Sequence, residues 1–217
     1  MSGIAHNLQA VRARIGHARA VTLLAVSKGQ GIERIKDAVA AGQKAFGENY
    51  VQEAVQKMQQ LPPLEWHLIG PLQSNKTRVA AERFDWVQTV ASEKIARRLS
   101  EQRPAHLAPL NVLIQVNVSG EASKSGIGAA QARGLAAVIA GLPRLRLRGL
   151  MAIPEPGADR ARYACARDVF EELKSEFGCD TLSMGMTDDM ELAIAEGATM
   201  VRIGTAIFGE RKKREAA

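Results

Sequence analysis

Lys28 closes an apolar run, Leu-Leu-Ala-Val-Ser-Lys-Gly at positions 23–29. A lysine there is either a solvated strand end or an amine held at the mouth of the fold. Partial burial disfavours the ammonium, and the neutral amine attacks an aldehyde to form a Schiff base. Two segments near the other end of the chain have complementary chemistry. Residues 183–189, Ser-Met-Gly-Met-Thr-Asp-Asp, offer hydroxyls at Ser183 and Thr187 around Gly185. Residues 202–209, Arg-Ile-Gly-Thr-Ala-Ile-Phe-Gly, offer the backbone N–H groups of Gly204 and Thr205 and the Thr205 hydroxyl. Together they have the make-up of a phosphate cup without a lysine clamp. The plainer reading is two turn-and-cap segments, Thr187-Asp188-Asp189 being a fair helix N-cap. Arg202 stands two residues before Gly204, so on a strand it faces the same way. A phosphate cup opposite a Schiff-base lysine is the minimal equipment for pyridoxal 5′-phosphate. An arginine at the pyridine nitrogen accepts no proton, so it leaves that nitrogen unprotonated and the cofactor a weak electron sink.

These residues work together only if the fold gathers them. Strands are predicted at 21–27, 44–47, 66–70, 84–88, 110–118, 145–151, 181–184 and 199–203. Amphipathic helices are predicted at 32–41, 51–60, 76–82, 92–102, 129–141, 159–177 and 188–196. Several helices stop at glycine, as at Ala41-Gly42 and Glu196-Gly197. Near-continuous apolar strands alternating with helices call for a parallel sheet covered on its outer face. The expected fold is α/β, a single (β/α)8 TIM-type barrel over residues 1–217. The helix after the eighth strand is short or missing. The first residues, with Ile4, Leu8, Val11 and Ile15 at helical spacing, form an extra N-terminal helix placed to fill that gap. The alternative is an open doubly wound sheet, which would normally carry a glycine-rich turn after an early strand; Val-Ser-Lys-Gly-Gln-Gly has only Gly29 and Gly31. In a barrel the active site lies at the C-terminal strand ends, where all the segments above fall.

Composition narrows the function classes. The 217 residues are 46% hydrophobic but only 4% aromatic, so Leu, Val, Ile and Ala build the core. No apolar run reaches the ~18 residues of a membrane span, and no signal-peptide pattern is present, so a cytoplasmic protein without membrane attachment is expected. Cys165 and Cys179 lack metal-ligand spacing and read as reduced thiols; no metal site is expected. The net charge of +6 raises the question of nucleic acid. Its basic residues are scattered over helix faces, the dense cluster is the 209–217 tail, and no aromatic residues interleave it, so nucleic-acid binding is not expected.

Other polar residues have plain readings. His67 reads as a hydrogen-bonded strand histidine. Glu48 and Glu121 have no evident partner. Gln73, Asn75 and Lys76 either line the mouth or cap a helix, and Met184, Met186 and Met190 pack around a turn. The loop Ser-Gly-Glu-Ala-Ser-Lys-Ser-Gly at 119–126 lacks the spacing of a nucleotide loop.

The segments AVSKG, FGENYVQE, WHLIGPLQSNK, VNVSGEASKSG, LRGLMAIP and SMGMTDDMELAIAEGATMVRIGTAIFG resemble the YggS/PROSC family of pyridoxal phosphate homeostasis proteins, from about residue 5 to 210. That family is similar in fold to the N-terminal barrel of alanine racemase and lacks the racemase's second, β-rich domain. The resemblance implies that Lys28 holds the cofactor as a Schiff base, that Ser183, Gly204 and Thr205 bind its phosphate, that Arg202 meets the pyridine nitrogen and that Asn49 lies near the ring. Thr187 departs from the serine usual in the family and keeps the hydroxyl. The implied role is intracellular pyridoxal phosphate homeostasis without firm catalytic activity. Apo-enzymes that need the cofactor are the implied partners, and a monomer or weak dimer is expected. The alternative is a racemase-like enzyme acting on amino acids. Racemisation needs a base on each face of the ring, and the racemase takes its second from the missing domain. Here only Tyr50 and Tyr163 are available.

Overall fold

The structure is a computed structural model and describes residues 3–16, 21–119 and 125–210. Helix α1 (Gly3–Ile15) precedes eight strand–helix units: β1 (Thr22–Val26) and α2 (Ile32–Ala40), β2 (Ala45–Glu48) and α3 (Val51–Met58), β3 (Glu65–Leu68) and α4 (Thr77–Arg83), β4 (Trp86–Val90) and α5 (Glu93–Gln102). The second half continues with β5 (Leu110–Val116) and α6 (Ala132–Ala140), β6 (Leu145–Ala152) and α7 (Arg160–Phe177), β7 (Thr181–Ser183) and α8 (Met190–Ala195), β8 (Met200–Ile203) and α9 (Thr205–Phe208). The strands close in chain order into a barrel, and β8 returns to pair in parallel with β1. The expected α/β barrel is the observed one.

Strand side chains alternate between two environments. Outward, Phe46, Leu68, Val87, Ile114, Leu150, Leu182 and Val201 are buried under the apolar faces of the helices, which present residues such as Ile35, Leu99, Ile139 and Phe170. Inward, the barrel holds two small apolar groups, Leu24 with Ala45 and Met200, and Trp86 with Leu113 and Met151. His67, Gln88, Ser183 and Arg202 lie inside with them, all buried.

Helix α9 has four residues, too few to cover the seam between β8 and β1. Helix α1 covers it instead, packing on α2, α8 and α9 through Ile4, Leu8 and Val11. Its Asn7 side-chain amide donates to the Ile207 carbonyl at 2.9 Å. The predicted role of the N-terminal segment is thus realised.

Element boundaries shift where caps intervene. The strand predicted at 84–88 begins at Trp86, because the Phe84 N–H still closes α4 on the Ala80 carbonyl. The helix predicted at 129–141 opens with a 3₁₀ turn over Ala129–Gln131, where the Gln131 side chain accepts from the Gly128 N–H. Residues 120–124 and the basic tail at 211–217, with Glu121 among them, lie outside the described residues.

Candidate functional site

Strand alternation sets the direction of Lys28. Leu24 points into the barrel, so Val26 and Lys28 follow it on the same side, Lys28 one step beyond the strand end. By the same parity Asn49 follows Ala45 and Gly47 on β2, and Gly204 follows Met200 and Arg202 on β8. These side chains converge on a cavity of about 280 Å³ at the C-terminal mouth of the barrel. Lys28, Asn49, Arg202, Gly204 and Thr205 all line it, together with Val26, Ile69, Thr187, Asp188 and others. A second cavity of about 340 Å³ adjoins it, sharing Asn49, Ile69, Ile153 and Met186, and reaches Gln115, Asn117 and Glu155. The pair is of the size typical of small-molecule sites.

Five of the six expected site residues therefore meet in one cavity, and Ser183 does not line it. Its side chain is fully buried below. The Ser183 hydroxyl donates to Gln88 Oε1 at 2.7 Å and accepts from the Arg202 guanidinium at 2.8 Å. A second arm of Arg202 donates to the Ala152 carbonyl at 2.9 Å. Arg202 is 4% exposed, and burial lowers its pKa to about 10. The loop after β7 supplies Met186, Thr187 and Asp188 to the wall. Gly185 makes that loop possible: its φ is +95°, and a Cβ there would stand 2.6 Å from the Ala193 Cβ. The loop is pinned by Asp189, which accepts the Met186 N–H at 2.5 Å and the Tyr163 hydroxyl at 2.6 Å. Tyr163, expected in a helix away from the strand ends, reaches this loop from α7 but spends its hydroxyl on Asp189. Gly70 admits a similar close approach on the far side. Any Cβ there would lie 2.2 Å from the Asn49 carbonyl oxygen, so glycine at 70 leaves Asn49 room at the mouth.

The turn that carries Lys28 is clamped from behind. Residues of opposite parity, Ser27 and Glu48, point outward to α3. There Lys57 donates to the Ser27 carbonyl, to Glu48 Oε1 and to Glu53 Oε1, each at 2.7 Å. The Ser27 hydroxyl donates to Glu48 Oε1 at 2.5 Å, and the Gly29 N–H donates to Glu53 Oε1 at 2.6 Å. Both neighbours of Lys28 in the chain are thus fixed. Glu48 is fully buried, and its Oε2 has no partner among the described residues. Burial raises the Glu48 pKa, opposed by Lys57 and Ser27. The expectation that Glu48 lacks a partner is corrected. The sequence marks Lys57 as a cation on the buried face of α3, with Val51 and Ala54 and four residues after Glu53, but its spacing does not name Glu48 as the partner.

The remaining candidates separate cleanly. Ser74–Lys76 form a 3₁₀ turn before α4, and Gln73, Asn75 and Lys76 line neither mouth cavity. Met184 and Met190 are buried packing residues, whereas Met186 is 40% exposed and lines both cavities. Burial pushes the Cys179 thiol up to about 11, as expected of an inert cysteine. Among the described residues no helix is long and apolar enough to cross a membrane.

Comparison with known proteins places this geometry. The family described as alanine racemase, N-terminal domain, matches residues 1–212. The pyridoxal phosphate homeostasis protein of Escherichia coli K12 is 55% identical, covering 97% of this chain and 98% of that protein. The protein of the same name in Pseudomonas aeruginosa is 56% identical, covering 97% of each. Among solved structures, PipY of Synechococcus elongatus with PLP bound superposes with a TM-score of 0.84 at 38% identity, covering 95% of this chain and all of PipY. The alanine racemase of Corynebacterium glutamicum superposes with a TM-score of 0.75 at 18% identity, covering 99% of this chain and 62% of the racemase; that likeness is one of fold.

Proposed function

We propose, for a chain that belongs to the pyridoxal phosphate homeostasis proteins of the alanine racemase N-terminal domain family, that the mouth cavity binds pyridoxal 5′-phosphate through Lys28 and that the protein serves intracellular homeostasis of this cofactor. The observation that carries the reading is the meeting of Lys28, Arg202, Gly204 and Thr205 in one cavity. The donor set fits the group. Lys28 supplies a primary amine for an aldehyde, Gly204 and Thr205 supply N–H and hydroxyl groups for a phosphate, and Thr187 adds a second hydroxyl. Two cations, Lys28 and Arg202, favour an anionic ligand over the single wall carboxylate of Asp188. When bound, the cofactor supplies an aldehyde that condenses reversibly with amines.

The chain's own residues then have distinct tasks. Lys28 holds the cofactor covalently, its backbone fixed by the Lys57 and Glu53 contacts to Ser27 and Gly29. Arg202 would donate to the pyridine nitrogen and, offering no acceptor to a protonated ring, would keep that nitrogen in its basic form. Ser183, from below, supports Arg202 rather than the phosphate. Asn49 borders the ring. The role is that of a carrier rather than of a racemase. Neither tyrosine serves as the second base opposite Lys28: Tyr163 is bound to Asp189 and burial raises its pKa, while Tyr50 is 65% exposed and lines neither cavity. Ile153 and Met186, exposed apolar side chains that line both cavities, and the exposed Tyr50 next to Asn49 in the chain support contact with apo-enzymes that receive the cofactor. We place the protein in the cytoplasm, as a monomer or weak dimer.

The test is direct. Purified protein titrated with pyridoxal 5′-phosphate should develop a visible absorbance band, and borohydride should fix one cofactor per chain on the peptide containing Lys28. No band, or a label spread over surface lysines, would remove the reading. A carrier should also leave amino acids unchanged. Loaded protein incubated with a panel of amino acids in deuterium oxide should incorporate no α-deuterium above the free-cofactor background. Incorporation that disappears with Lys28 would restore the racemase alternative.

A further inference from the structure

A line of polar side chains runs through the barrel from its N-terminal face to the cavity. Glu65 stands at the N-terminal end, its side chain 46% exposed. Its Oε1 lies 2.7 Å from His67 Nε2, and His67 Nδ1 lies 2.8 Å from Gln88 Nε2. Gln88 Oε1 accepts from Ser183, and Ser183 accepts from Arg202. His67, Gln88 and Ser183 are each 0% exposed. Barrel interiors are ordinarily filled by layers of branched apolar side chains, and burying polar groups is costly unless every one is satisfied.

The two ends fix everything between them. Arg202 only donates and the Glu65 carboxylate only accepts. The Ser183 oxygen therefore receives the Arg202 N–H and must pass its own hydrogen to Gln88 Oε1. That orients the Gln88 amide, whose nitrogen then donates to His67 Nδ1 and, at 3.2 Å, to Met200 Sδ. His67 consequently carries its proton on Nε2 and donates it to Glu65. Burial lowers the His67 pKa, which keeps the ring in this neutral form. His67 is further held by stacking on Trp86, with ring centroids 5.0 Å apart and planes 8° from parallel. Every bond points the same way, with acceptor ends turned toward Arg202. Among the described residues Arg202 has no carboxylate within ion-pair distance, so this oriented chain and the Ala152 carbonyl are what hold its guanidinium.

We propose that Glu65, His67, Gln88 and Ser183 are positioning residues that fix the orientation of the Arg202 guanidinium toward the cofactor. The inference rests on the function proposed above. It assigns a functional effect to His67, which lines neither mouth cavity and sits two side chains away from Arg202.

The variants His67→Leu and His67→Gln separate this from packing. Leucine cuts the chain; glutamine can accept from Gln88 and donate to Glu65. In protein without added cofactor, His67→Leu should lose the slowly exchanging Arg202 guanidinium N–H signals in ¹⁵N NMR, and His67→Gln should keep them. With pyridoxal 5′-phosphate, His67→Leu should bind roughly tenfold more weakly, with a shifted absorbance band. Borohydride should still label Lys28, and His67→Gln should restore both affinity and band. Gln88→Met should reproduce the leucine result, and combining it with His67→Leu should add little, because either one opens the same chain. If His67→Leu does not fold, Gln88→Met carries the same test. Folded variants with wild-type Arg202 signals, affinity and band would overturn the proposal, as would a loss that His67→Gln fails to restore. Absence of Lys28 labelling in the wild type would instead remove the cofactor reading, leaving the NMR arm to judge the chain itself.

Discussion

Lys28→Ala should abolish borohydride-fixable labelling and weaken pyridoxal 5′-phosphate binding by about a hundredfold or more, roughly 3 kcal/mol, with little change in stability. The reason lies in where Lys28 sits. Its side chain lines the cavity from a turn beyond the end of β1 and is only partly buried. The side chain is no part of the apolar core, and changes at such partly buried positions ordinarily stay within about 0.5 kcal/mol. For a chain of this size that is a shift of roughly 1–2 °C in Tm. The clamp on Ser27 and Gly29 uses backbone groups, so it survives the substitution. Lys28→Arg is the informative companion. It keeps the positive charge but has no amine able to condense with an aldehyde, so it should retain part of the affinity and none of the label. Equilibrium dialysis and peptide mapping after reduction measure both. Labelling that moves to another lysine at full yield would mean that the cavity, rather than Lys28, selects the cofactor.

The fold was legible in the sequence because each strand–helix unit carried its own periodicity and stop signals. The gap left by the four-residue α9 was legible too, since the helical spacing of Ile4, Leu8 and Val11 offered something to fill it. Lys28, Arg202, Gly204 and Thr205 could be read because strand ends in a barrel share one face, so position along the chain predicts convergence. Ser183 shows the limit of that rule. It ends β7, yet its side chain falls one layer below the mouth, and Thr187 and the loop around it reach the cavity instead. The Glu48–Lys57 clamp was hidden for a related reason. Parity shows that Glu48 points outward, but which helix residue meets it depends on the rotation of α3 over β1 and β2. The His67–Gln88 link likewise joins neighbouring strands through the barrel interior, a contact set by stagger and tilt rather than by spacing within either strand.

The clamp yields the second large effect. Lys57→Met should destabilise the protein by about 3–5 kcal/mol. Methionine fills much the same space, so the loss is electrostatic: the fully buried Glu48 carboxylate loses the cation bound to it, and its Oε2 is already without a partner. The pH dependence tests this cause. In the wild type burial raises the Glu48 pKa, while Lys57 pulls it down. Without Lys57 the folded-state value rises further. A group with a raised folded pKa favours the native state while protonated and loses that contribution as pH climbs through the folded value. The deficit of the variant, measured by urea unfolding beside the wild type, should therefore be small near pH 5 and widen toward pH 8. A deficit independent of pH, or below about 1 kcal/mol, would mean that the pair is not a buried ion pair in solution. Adding Glu48→Gln to Lys57→Met removes the stranded charge and should recover most of the stability. It does not restore the bond from Lys57 to the Ser27 carbonyl. If that double variant is stable but labels slowly at Lys28, the clamp has two separable effects: the charges hold α3 against the barrel, and the bond to Ser27 holds the amine where the cofactor meets it.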